Sequence, residues 1–175
     1  MSVRFEFRLT VEELSALRRV LRADHIRLVG VGDHHIDEDG HRVECVRLIS
    51  ADGEIELFSK EDRSMERFDL FRVAVEAPGT TTGPLHELSQ LLPSIANGSA
   101  RDRAWLVSDI ERVSGTLLSV AGEYELIRDR DILLLGVDGA GIQVTCDTLP
   151  GWLSVKRTHL SAALGSSTFA ITSLL

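Results

Sequence analysis

A chain of 175 residues with 43% hydrophobic and 26% charged residues can bury one substantial core, or two small ones, without disulfide or metal staples. Its net charge of −8 and pI near 5.2 argue against general binding to nucleic acid or anionic membranes, both of which rely on Lys and Arg. No stretch approaches the ~20 apolar residues of a membrane-spanning helix, and "MSVRFEFRL" alternates charged and apolar residues where a signal peptide would be basic and then continuously apolar. A cytoplasmic protein is expected. Cys45 and Cys146 each sit in an apolar, strand-like run outside any CxxC or zinc spacing, and so read as reduced core thiols rather than a disulfide.

Val3, Phe5, Phe7 and Leu9 alternate with charged residues, the period of a half-buried strand. Thr10 and Glu13 form a capping-box signature, and Val11, Leu14, Leu17 and Leu21 recur at helical spacing, which predicts a helix over 11–23. Strands follow over 26–31, 42–50, 54–59 and 68–76. Asp39-Gly40 and Asp52-Gly53 supply the positive-φ turns of an antiparallel meander. After a loop over 77–84, Leu85, Leu88, Leu91, Leu92 and Ile95 suggest a second helix ending near Pro93. The segment 100–120 reads as a helix to about Ser114, on Leu106, Ile110, Val113 and Leu117, with a hairpin as the competing reading. Strands over 124–127, 132–137 and 142–146, a short helix within "VKRTHLSAAL" and a closing strand complete the chain.

The expectation is therefore an α+β fold over residues 1–175: a mainly antiparallel sheet built from βαβββ-like units, with three or four helices on one face. Two such units fall at about 1–76 and 100–150, followed by a helix-strand appendage at 151–175. Duplication and coincidence explain the echo equally well.

"VRLISADGEIELFSKEDRSMERFDLFRVAVEAPGTTTGPLHELSQLL" resembles part of a bacterial DNA polymerase sliding-clamp domain, and "DILLLGVDGAGIQVTCDTLP" is similar to the strands that close such a domain. The resemblance covers about a third of the chain and rests on the order of strands, turn and helix. It implies a ring around DNA lined by basic helices, with outer pockets for partner peptides. Arg18, Arg19 and Arg22 would suit that lining, as would Lys156 and Arg157. The chain departs from the pattern in being shorter than a three-domain clamp, and "PLHELSQLLP" carries no Lys or Arg.

The densest chemistry is "GVGDHHIDEDGHRVEC", residues 30–45. His34, His35 and His41, with neighbouring Asp and Glu, offer enough donors for a divalent metal, the only cofactor the sequence suggests. If the strand continues through them, adjacent His34 and His35 point to opposite faces, and only one can meet His41. A polar hairpin explains the composition without any ligand. The acidic residues do not follow EF-hand spacing, "GSSTF" lacks a nucleophile elbow, and no helix follows the glycines of "GVDGAG". Isolated His86 and His159 read as surface or cap residues. Trp105 reads as a core anchor, and Trp152, after Pro150-Gly151, as a candidate contact residue.

These readings favour a non-catalytic module that binds another protein or itself, such as an immunity protein, adaptor or accessory subunit. Trp152, Arg18, Arg19 and Arg22 are its candidate contacts. A metal-dependent enzyme or metal binder using His34, His35 and His41, and a clamp-like DNA-associated protein, are the alternatives. Nucleic acid enters only through the last of these.

Overall fold

A computed structural model describes residues 3–38, 40–62, 70–91, 103–117, 120–136, 138–146, 151–163 and 169–175. The first strand, β1 (Val3–Phe7), leads into α1 (Val11–Leu21). The meander follows as β2 (Ile26–Asp37), β3 (Gly40–Ser50), β4 (Gly53–Asp62) and β5 (Leu70–Glu76). A short β6 (Leu85–Glu87) precedes the long ribbon of β7 (Arg103–Leu117) and β8 (Val120–Leu135). The chain closes with β9 (Ala140–Cys146), β10 (Leu153–His159), α2 (Leu160–Ala163) and β11 (Phe169–Ser173).

Among the described residues eleven strands form one sheet, eight of them on the path β11-β7-β8-β9-β10-β3-β2-β6 and β1, β4 and β5 off it. Two long strands each divide one edge between two neighbours. β8 pairs along its length with β7, while its other edge takes β1 in parallel at Tyr124–Arg128 and β9 at Asp131–Leu135. β3 pairs with β2 on one side and, on the other, with β10 at His41–Val43 and β4 at Cys45–Ser50. Strands that share an edge in this way splay, and the sheet curls into a half-barrel. Leu17, Val20 and Leu21 of α1 fill its concave side against Leu28, Leu48, Leu57, Ile132 and Val144. A second, small cluster on the other face of β7 and β8 places Trp105 and Val107 against Leu160 of α2 and Phe169 of β11.

This architecture overturns the α+β expectation of βαβββ-like units with three or four helices on one face. Among the described residues there are two helices, of 11 and 4 residues, and one 3-10 turn at Ser89–Leu91. Only α1 was correctly anticipated as a helix of useful length. Its capping box is present: Glu13 N–H donates to Thr10 Oγ1, and Thr10 N–H donates to Glu13 Oε2.

The other helices fail for physical reasons. In β7 the apolar run Ala104 to Val107 buries both faces, Ala104 and Leu106 in the main core and Trp105 and Val107 in the small one. Every position of that run is apolar, so Leu106 fits a helix or a strand equally well, and the strand continues past a bulge between Val107 and Ser108 to half-buried Ile110. Leu85–Glu87 take the open edge of β2 opposite Val29–Val31, so the leucine spacing that suggested a helix survives only as the single 3-10 turn. Residues 92–95 of that expected helix lie outside the described residues. The expected helix at "VKRTHLSAAL" begins five residues late because β10 pairs with β9 through His159. The helix that the clamp resemblance requires at "PLHELSQLLP" is likewise a strand over 85–87.

Asp129 is a tied-down polar group of the interior. Asp129, 1% exposed, accepts from Leu9 N–H at 2.7 Å and from Ser108 Oγ at 2.6 Å, which fastens the turn before α1 to the β7–β8 ribbon. Cys45 and Cys146 are buried free thiols, Cys146 Sγ lying 3.0 Å from Ser59 Oγ. Burial pushes the Cys45 thiol up to about 12, aided by the nearby Glu56 carboxylate, so Cys45 is an inert core residue. No helix among the described residues is long and apolar enough to cross a membrane.

Candidate functional site

The histidine-rich stretch is not a loop. β2 runs through Asp37, and the polar turn expected over 33–41 shrinks to the tip between Asp37 and Gly40. The strand accommodates this by a bulge between Val31 and His34, where Gly32 adopts φ +89°, a left-handed conformation suited to glycine. Beyond the bulge His34 lies opposite Val43, His35 opposite Arg42 and Ile36 opposite His41. The pleat then separates the adjacent histidines.

His34 and His41 meet. His34 Nε2 lies 2.9 Å from His41 Nδ1, with the rings stacked at a centroid distance of 5.1 Å. His86 joins them from β6, its ring centroid 4.4 Å from that of His34 and its Nε2–H donating to Gly32 O at 3.0 Å. Burial, then the positive charge that His86, His41 and His35 would carry, hold the His34 imidazole below the ordinary histidine range. His35 is on the opposite face, its ring 5.2 Å from Trp152, beside the Arg42–Asp37 ion pair at 2.6 Å. The structure thus brings together two of the three candidate metal ligands, His34 and His41, and leaves His35 apart from them. Among the described residues no group of three or more His, Cys, Asp or Glu is placed to hold a metal ion. His86 had no local signal in the sequence, because only the pairing of β6 with β2 brings it there.

A different grouping forms on α1. Val11, Leu14, Ser15, Arg18, Arg19 and Arg22, with Asp52 of the β3–β4 turn, line a cleft of about 600 Å³. Their spacing puts them on one stripe of the helix, apolar at its N-terminal end and cationic at its C-terminal end. Leu17, Val20 and Leu21 turn into the core with Leu14 half-buried against it, which leaves Val11, Ser15, Arg19 and Arg22 exposed. Val11 is 78% exposed. Arg18 donates to Ser173 O at 3.1 Å, whereas Arg19 and Arg22 form no ion pair among the described residues.

The remaining predicted cations lie elsewhere. Lys156 and Arg157 border a smaller cleft, about 400 Å³, with Ile36, Glu38, His41 and Leu91, and Arg157 also donates to Gln90 O. Trp152 is half-buried against His35.

Glu56 shows the opposite use of charge. It is fully buried on β4 and accepts from Arg47 and from the N–H groups of Gly79, Thr80 and Thr81. Burial alone would push its carboxyl up, but the donors Gly79, Arg47 and Thr81 outweigh it and hold the group below the usual range. Glu56 thereby anchors the 77–83 loop to the sheet. No family model, curated protein or solved structure matches the chain.

Proposed function

We propose that this chain is a non-catalytic protein-binding module that docks an acidic segment of its partner along the outer stripe of α1. One observation carries the reading: exposed Val11 shares a single cleft with Arg18, Arg19 and Arg22, on a chain whose net charge is −8. An acidic partner is attracted to a strip where three arginines gather on a chain of net negative charge, which gives both orientation and specificity. Apolar area beside the arginines supplies the affinity that exposed charges alone do not. Roles as an adaptor, immunity protein or accessory subunit all fit such a strip.

The same arginines could take nucleic-acid phosphates, but the apolar half of the cleft favours peptide, since a phosphodiester backbone offers Val11 and Leu14 nothing to bury. Fluorescence anisotropy with a labelled Glu/Leu peptide, a Lys/Leu peptide and a DNA duplex separates the two. The acidic peptide is expected to bind, about tenfold more weakly to Arg19→Gln/Arg22→Gln. Binding to the duplex alone would favour the clamp-like alternative, and binding to none of the three would refute the docking site.

A further inference from the structure

The two most exposed large hydrophobic side chains among the described residues are Val11, at 78%, and Ile36, at 70%. Val11 lines one cleft with Arg18, Arg19 and Arg22. Ile36 stands at the tip of the β2–β3 hairpin beside Glu38, and both side chains line the same small cleft. Asp33 is exposed on the same hairpin arm, and Asp37 there is paired with Arg42. The tip therefore presents what the α1 cleft would select: an apolar side chain followed two residues later by a carboxylate that forms no ion pair among the described residues. Arg42, paired with Asp37, and Lys156 and Arg157, across the small cleft, are the cations near the tip.

The two features cannot meet within one molecule. Asp52, at one end of the α1 cleft, follows the last residue of β3, whereas Ile36 and Glu38 flank its first. Eleven residues of strand separate the two places by roughly 30 Å. Contact between them has to be made between molecules.

Resting on the reading of α1 as a docking strip, we propose that a second copy of this chain is an occupant of the cleft: the β2–β3 tip of one copy inserts Ile36 against Val11 and Leu14 of the next, with Glu38 reaching Arg19 or Arg22. Along α1, Val11 and Arg19 are eight residues apart, a rise of about 12 Å, which a long arginine side chain and the Ile36-to-Glu38 step can span together. Tip and cleft are different surfaces, so the contact is head-to-tail: a pair of copies keeps one free tip and one free cleft between them, and assembly proceeds to a closed ring or an open filament. A single hairpin tip buries little area, so association is weak, concentration-dependent and salt-sensitive.

Sedimentation velocity of the full chain over a wide concentration range provides the test, with two variants: a cleft variant, Arg19→Gln/Arg22→Gln, and a tip variant, Ile36→Ser/Glu38→Gln. All four substituted side chains are exposed, and an unchanged melting temperature confirms folding. The wild type is expected to form assemblies larger than a dimer, and each variant alone to lose association about tenfold or more. An equimolar mixture of the two should form a 1:1 dimer that does not grow, because the intact tip of one fits the intact cleft of the other. A wild type that stays monomeric at every concentration overturns self-docking, while the acidic-peptide titration independently decides whether the cleft docks anything. Variants that assemble like the wild type, or a mixture that stays monomeric, also overturn it.

Discussion

At Glu56 a buried carboxylate is enclosed by Arg47 and three loop amides, whereas on α1 Arg19 and Arg22 face water with no carboxylate partner among the described residues. The first arrangement is costly to disturb, because removing Arg47 strands the Glu56 charge where solvent cannot reach it, and removing Glu56 leaves three loop amides without their acceptor. Nothing is left over at Glu56 for a ligand. The arginines cost the fold little, and their fields are available to whatever approaches. In this molecule, then, the saturated charges hold the architecture, and the unsaturated ones are those to which the proposed docking function is assigned.

That contrast is broken most severely at Glu56. Glu56→Ala should destabilise the protein by about 3 kcal/mol in chemical denaturation, through loss of both the Arg47 pair and the 77–83 loop anchor. Arg19→Gln/Arg22→Gln should stay within about 0.5 kcal/mol of wild type per substitution, while losing peptide binding. If the cleft variant were as unstable as the Glu56 variant, the arginines would be structural and the distinction would fail.

The histidine hairpin lies between these extremes. Gly32→Ala is expected to cost about 1 kcal/mol, since φ +89° disfavours any side chain and a Cβ there would crowd Glu44. Thermal melting reads this, and a neutral outcome would mean that the bulge shifts freely along β2. A subtler effect concerns pH. Because the folded state holds His34 below its unfolded value near 6.5, the unfolded chain binds more protons, and stability falls as pH drops through that value toward the lower folded one. His34→Gln should flatten this dependence between about pH 7.5 and 5.5 in denaturation curves collected at several pH values. An unchanged slope would show that His34 titrates as it does in the unfolded chain.

How far the sequence foretold this depended on whether each signal was local. The Thr10–Glu13 capping box, the meander of β2 to β5, and the turn at Gly53 are set by neighbouring residues, and they were legible. β7 was not, because its 104–107 run, buried on both faces, is apolar at every position and Leu106 within it fits a helical spacing as well as a strand. The site divided the same way. Arg18, Arg19 and Arg22 could be picked out as one helical stripe, and the opposed directions of His34 and His35 followed from the pleat. The arrival of His86 at His34 depends on the pairing of an edge strand with a distant one, which no local pattern encodes.

The central claim, that α1 carries the docking surface, is tested most directly by amide hydrogen exchange of the full chain with and without a saturating Glu/Leu peptide. The account predicts slowed exchange confined to α1 and the β3–β4 turn around Asp52, which border the cleft. Slowed exchange at the histidine hairpin or around Trp152 instead, with α1 unaffected, would contradict it.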